Sequence, residues 1–443
     1  MSESLTSYRA SLGPGKTLRT LGALEEYFWL LGQRAARTLV VAAEVEGVTS
    51  VERWHDALRA LQAHHAILST RIRQAPGFRP VFVAAPELPL ELKVVPRESG
   101  TRLFELVSAE LAARFAPEDA LLRTTLLYGR DRSTLLFASD HAALDGMSLV
   151  FLIRDLLRAL SGESLGAVQA MPPSHDQWLG LHTSERHASV PGADADLGTG
   201  LGRSAAGASA GMSASRDALS THGMRFAPAD EAPLLQQVWL EPSITSLLTR
   251  RARAEHTSVH GALSTAIMLA GRTLSQGWRD GTVRCTSRVD LRGQFAAGEQ
   301  LGLLEMQRNS ALEPWDTPPF WEFARAVKQD LDMQRTAADA AGSLCAPVLN
   351  MISARSDPDR LLIGSRQRAP MLAMDNYGRL PIATRYGRLR LRWVTPAAMS
   401  GAPHTQTVSV ATVDGLLCMT NVSAEPMPSL LGTARRLLLA QLG

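Results

Sequence analysis

The sequence predicts an α/β (α+β) protein built as a two-lobe sandwich, and three observations lead there. Its 443 residues, 45% of them apolar, are enough for two domain-sized cores. A stretch rich in Ser, Gly, Ala and Asp at 184–222 carries few large apolar side chains and reads as a flexible linker, leaving a lobe at 1–183 and another at 223–443. In both parts helical and strand periodicities alternate, which argues against a pure bundle or a barrel.

Within the first lobe, LVVAAEVEG at 39–47 reads as a strand. SVERWHDALRALQAHH follows as a helix capped by Ser50, with Trp54, Ala57, Leu58 and Leu61 on one face. RLFELVSAELAARF at 102–115 is a second amphipathic helix. LLRTTLLYG and STLLFAS flank the turn from Gly129 to Arg132 as the arms of a hairpin, the second ending at Ser139. A long apolar helix comes next, with Asp145 where an N-cap belongs and Gly162 at its C-terminal stop.

The second lobe repeats the mixture. TSVHGALSTAIMLAGRTL places Val259, Leu263, Ala266, Ile267 and Ala270 on one helical face, and the strand TVRCTSRVD comes next. TVSVATVDGLLCMTNVS alternates around Asp414-Gly415, a two-residue hairpin signal, and a final helix starts near Ser429. In YGRLRLRWV, Leu389, Leu391 and Trp393 alternate with Arg388, Arg390 and Arg392. This pattern fits the solvated face of an edge strand, and less readily a contact for phosphate or an acidic protein.

The balance of 46 basic and 43 acidic residues gives a net charge of only +3. With just three lysines and no dense basic block, a nucleic-acid partner is not expected. Cys285, Cys345 and Cys418 are widely spaced, so neither a disulfide framework nor a zinc site is expected and a reducing compartment is the default. The N-terminus lacks an apolar core and no apolar run is long enough to span a bilayer; the expectation is a soluble cytoplasmic protein, without membrane contact and monomeric.

Three familiar patterns fail on context. SLGPGKT lacks both the first glycine and the preceding strand of a phosphate loop. GESLG around Ser164 is entered by a helix, where a nucleophile elbow needs a strand. GTGLG at 198–202 lies in the linker and lacks a third glycine.

What survives is SDHAALDGMS, in which His141, Asp145 and Gly146 follow a strand and open a helix. A neutral imidazole held rigidly at a strand end, facing an opening, can accept a proton from a hydroxyl or amine attacking a carbonyl; a satisfied core histidine is the alternative. Asp145 either caps the helix or is ion-paired, and Gly146 permits close backbone approach. His64 and His65, at a helix end with no DG after them, read as structural.

DHAALDG resembles the HHxxxDG signature of condensation domains and chloramphenicol-acetyltransferase-like acyltransferases. LGALEEYFWLLGQ, HHAILSTRI at 64–72, PPSHDQWL at 172–179, TSRVDLRGQF at 286–295 and MDNYGRLP at 374–381 resemble further family segments in the same order. The resemblance implies a pseudo-dimer of two lobes in a V shape around a central tunnel. It implies a free-standing enzyme that moves an acyl group from the phosphopantetheine arm of a carrier protein, or from coenzyme A, to an amine or hydroxyl of a small molecule in nonribosomal-peptide or polyketide biosynthesis. By position, His141 would be the base, Asp145 a structural residue paired with Arg292 (or else Arg288) from the second lobe, and Gly146 the tight backbone point. Asp140, Asn376 and Gly378 would line the tunnel. No metal and no permanently bound cofactor is implied. Asp140 stands where the family usually has its first histidine, which keeps open a non-catalytic or repurposed protein that binds a carrier-tethered intermediate as a scaffold or cyclisation template.

Overall fold

The computed structural model describes residues 15–75, 78–97, 101–180, 234–332, 357–367, 371–399 and 402–443. The expected linker at 184–222, the GTGLG segment within it and Cys345 lie outside the described residues. Cys285 and Cys418 are buried free thiols.

Two six-stranded sheets organise the chain. The first has β2 (Thr38–Glu46) at its centre, a strand buried along nearly its whole length and therefore apolar on both faces. It pairs antiparallel with β7 (Arg132–Asp140), whose own hairpin partner is β6 (Leu122–Tyr128). β5 (Leu92–Pro96) runs parallel to β6 at the edge. Helices α2 (Val51–His64) and α4 (Gly146–Leu160) cover one face; Trp54, Leu58 and Leu61 of α2 meet Leu149, Leu152 and Leu156 of α4 in one core with β2 and β7. That core also takes Phe28 from α1 (Ala23–Gly32). Helix α3 (Thr101–Ala112) supplies Val107 and Leu111 to the opposite face, against Val40 and Leu136. A small sheet of β1 (Thr17–Thr20), β4 (Val81–Ala84) and β3 (Thr70–Arg73) lies beside it.

The second sheet runs β10 (Glu305–Leu312), β9 (Val283–Asp290), β11 (Leu372–Arg379), β14 (Gln406–Val413), β15 (Leu416–Ser423) and β8 (Leu234–Leu240). β11 is parallel to both neighbours and the other pairs are antiparallel. The hairpin joining β14 to β15 turns at Asp414 and Gly415, both with positive φ (49° and 81°), which is why this Asp-Gly pair fits a two-residue loop. Its core is formed with α7 (Val259–Leu274), α10 (Phe320–Asp332) and α12 (Leu430–Ala440), through Leu263, Ile267, Phe323, Ala324, Leu431 and Leu438.

Sheet membership does not follow chain order. β12 (Arg385–Tyr386) and β13 (Leu389–Ala398), from the second half, pair into the first sheet, where β13 runs antiparallel to β2. The arginine-striped strand is therefore not an edge, as its pattern suggests, but lies between β12 and β2. Its cationic face is solvated as expected, and its charges meet acids on adjoining elements: Arg392 lies 3.5 Å from Glu46 and Arg390 3.2 Å from Asp414. Among the described residues no sheet closes into a barrel, and no helix is long and apolar enough to cross a membrane.

Candidate active site

β7 ends at Asp140, and the His141 N–H donates to the Arg37 carbonyl at 2.9 Å, which fixes the backbone just past the strand. A tight turn leads to Asp145, the N-cap of α4, whose carboxylate accepts from the Ser148 N–H at 2.8 Å. Cap and ion pair thus coincide in one side chain. Asp145 Oδ2 accepts from Arg292 Nη1 and from the Leu304 N–H, and Oδ1 from Arg292 Nη2, all at 2.9 Å.

Arg292, at the start of α9 (Arg292–Phe295), uses every donor it has. Nε bonds the Gln300 carbonyl, Nη1 also reaches Asp290, and Nη2 also reaches Ser148 Oγ. Asp145 is 1% exposed and Arg292 3%, so the pair is a buried link between the two halves of the chain. Ser148 joins it by accepting from the Gly302 N–H at 3.0 Å. Arg288, the other arginine of the same segment, has no contact with Asp145; it faces Glu305 at 3.5 Å and Asp375 at 3.4 Å.

His141 is 3% exposed, more deeply placed than a histidine facing an opening, and its ring lies against Phe28 with centroids 4.1 Å apart. Nδ1 is 3.3 Å from the Leu144 carbonyl, which makes Nδ1 the protonated nitrogen and leaves the Nε2 lone pair as the proton acceptor. Among the described residues Nε2 makes no hydrogen bond; Glu305 Oε1 stands 3.4 Å away. Burial pushes the Glu305 carboxyl up, but Arg288 and His141 outweigh it and hold it at about 2, so it is ionised whenever the imidazole takes up a proton.

Glu305, Arg288, Asp375 and Tyr377 line a cavity of about 250 Å³ together with Asn376 and Asp145. Burial, then Asp375 and Glu305, push the Tyr377 phenol well above its ordinary value, so it stays a hydroxyl. Tyr377 also explains Gly146: a Cβ there would sit 2.0 Å from its Oη. Gly378 does not line this cavity. It turns the end of β11 with φ +62° while its N–H donates to Asn376 Oδ1 at 2.8 Å.

Asp140 borders another cavity, of about 740 Å³, with Trp29, Arg37 and Phe115 among its walls. Its Oδ1 accepts from the Ala142 N–H, and burial pushes it up to about 6. Asp140 therefore forms no dyad with His141. Glu305, Ser148, Asp375 and Tyr377 are the polar residues that the sequence reading did not single out; Asp375 and Tyr377 lie inside the quoted MDNYGRLP, one position either side of Asn376. His64, His65 and Asp155 bring potential metal-ligand atoms within 4.8 Å of one another. Asp155 already accepts from Arg154, pairs with His65 at 3.0 Å and faces Arg158 at 3.5 Å, so two guanidiniums oppose a cation there and the cluster ties α2 to α4.

Residues 229–298 match the family model described as the phthiocerol/phthiodiolone dimycocerosyl transferase C-terminus. A comparison with curated protein sequences finds no match. Among solved structures, the chain is similar to a trichothecene 15-O-acetyltransferase from Fusarium sporotrichioides, with a TM-score of 0.69, 14% identity and coverage of 98% of this chain and 97% of that one. It is also similar to the first condensation domain of the CDA synthetase, at TM-score 0.67, 16% identity and 96% coverage of each chain. Polyketide synthase associated protein 5 from Mycobacterium tuberculosis matches at TM-score 0.63 and 17% identity, over 97% of this chain and 99% of that one. The chain therefore has the two-lobe fold shared by condensation domains and this group of acetyltransferases.

Proposed function

We propose that the protein is a thioester-dependent acyltransferase of natural-product biosynthesis, with His141 as its general base. The carrying observation is the imidazole itself: Nδ1 is occupied by the Leu144 carbonyl, Nε2 has no hydrogen bond among the described residues, and an ionised carboxylate stands 3.4 Å from Nε2. An acceptor hydroxyl or amine gives its proton to Nε2 while its oxygen or nitrogen bonds to the thioester carbonyl carbon. The C–S bond then breaks and the leaving thiolate takes the proton back from Nε2. Glu305 stabilises the imidazolium formed between these steps. Alignment of two bound reactants supplies the rest, and no acyl-enzyme is needed.

The donor is an acyl group on a phosphopantetheine thiol, from coenzyme A or a carrier protein. Asp145 and Arg292 act as positioning residues that hold the helix start beneath the imidazole, not as catalytic groups. Support comes from the fold, which the acetyltransferase and condensation-domain structures share over nearly their full lengths. The test is mass-spectrometric detection of acylated acceptor from acyl-coenzyme A or acyl-carrier donors. Wild-type turnover with a loss of about 10² to 10⁴-fold in a folded His141→Ala variant is expected; unchanged turnover in that variant, or donor binding without any transfer by the wild type, overturns the reading.

A further inference from the structure

The cavity bordered by Asp140 contains a charge that the fold does not balance. Arg37, 8% exposed, lies in its wall, and its guanidinium has no hydrogen bond or ion pair among the described residues. The contrast with Arg292 is direct, since that side chain, also buried, places all five N–H groups. A buried cation without a partner costs stability and calls for an anion. The acids in the same wall do not supply it. Asp140 Oδ1 is bonded to the Ala142 N–H and Asp119 Oδ2 to the Ala116 N–H at 2.8 Å, and neither pairs with Arg37. Arg114 donates to the Gln33 carbonyl.

We propose that Arg37 binds the carboxylate of a small-molecule acceptor, with the acceptor's apolar body lying along Trp29, Phe115 and Leu121. Three observations favour this ligand. The guanidinium fork matches a carboxylate bidentately. The cavity, about 740 Å³, has the volume of a small-molecule site, and aromatic and aliphatic walls next to one buried charge are what an amphiphilic acid requires. The Arg37 carbonyl also accepts from the His141 N–H, which ties the backbone of this wall to the start of the motif. A hydroxy or amino acid keeps its nucleophile a few bonds from its carboxylate, whereas a pantetheine phosphate is separated from its thiol by two amide units. Burial lowers Arg37 to about 10; Tyr27 opposes that shift and the like charges of Arg366 and Arg288 add to it, and the side chain stays cationic at neutral pH. That the carboxylate belongs to the acceptor rests on the acyl-transfer reading; the anion site does not.

Calorimetric titration of the full chain with 3-phenyllactate, 3-phenyllactamide and phenyl phosphate tests the assignment. Phenyllactate is expected to bind at least about tenfold more tightly than its amide. Arg37→Gln should lose that preference without melting lower than wild type, because it removes an unpaired buried charge; His141→Ala should keep it. Equal binding of acid and amide, binding of neither, an acid preference that survives Arg37→Gln, or a lower melting temperature in that variant overturns the proposal. Binding of phenyl phosphate in preference to phenyllactate overturns the carboxylate in favour of a phosphate. Acid preference without any acyl transfer would sink the acyltransferase reading alone, and transfer without acid preference would sink only the role of Arg37.

Discussion

Removing the Asp145 carboxylate tests whether the two halves are held together at the motif or merely meet there. In Asp145→Ala the Arg292 guanidinium stays buried without its bidentate partner, and the Ser148 and Leu304 N–H groups lose their acceptor. Breaking a buried pair from one side costs about 3–5 kcal/mol, and the Asp290 contact that Arg292 keeps places this site at the lower end. With a denaturant slope of about 3 kcal/mol per M in urea, a loss of about 3 kcal/mol moves the midpoint by about 1 M. Urea unfolding followed by tryptophan fluorescence reads this. The cost comes chiefly from a buried charge left with Asp290 as its one acid, so Asp145→Ala/Arg292→Met should recover about 2 kcal/mol relative to Asp145→Ala. A single variant within about 0.5 kcal/mol of wild type would refute the linking role. A double variant that adds the two losses would show that the charge is not what makes the vacancy costly.

Glu305→Gln should lower kcat at least about tenfold with KM little changed, because it removes the charge facing the imidazolium and leaves the cavity shape; steady-state kinetics check it. Gly146→Ala drives a Cβ into Tyr377 and should cost about 1–3 kcal/mol, with Tyr377→Ala in the same chain relieving most of the loss in urea unfolding. Burial holds the His175 imidazole at about 4 against an ordinary 6.5. The unfolded state then takes up the proton first on acidification, so this contribution is complete above pH 6.5 and lost as pH falls towards 4. Between pH 7 and 5 the wild type should lose about 2 kcal/mol through this group, a slope that His175→Gln should remove.

The strongest local signals were legible in the sequence. The Ser50 cap, the helix opened by Asp145 and the Asp414-Gly415 hairpin depend on neighbours in the chain, and each forms as its pattern predicts. Arg292 came from a resemblance, because no spacing rule joins residues 145 and 292. Glu305 carried no signal of that kind: it opens a strand whose buried positions, Met306, Arg308, Ser310 and Leu312, alternate, and its importance comes from where that strand's first residue lands. Arg37 was equally silent, since an arginine's solitude in a buried wall depends on every element packed around it. For β13, periodicity reported one apolar and one cationic face correctly. Periodicity says nothing about which sheet a strand joins, and the edge assignment failed for that reason.

That crossover strand bears on how the site is assembled. β13 packs Leu391 and Val394 into the core formed by β2, β7, α2 and α4, while Thr395 accepts from Gln237 of β8 in the other sheet at 3.0 Å. Without residues 389–398, β2 would present an unpaired apolar edge and the first core would lose part of its wall. His141 stands one strand away from that edge, and the carboxylate that faces it, Glu305, comes from the opposite sheet together with its own partner Arg288. Neither half of the chain therefore holds both the imidazole and its carboxylate, and the crossover keeps the two sheets from separating by a simple rotation. Tyr377 of β11 and Glu305 of β10 line the 250 Å³ cavity together with Asp145 of the first half, so that cavity too is built from both halves of the chain.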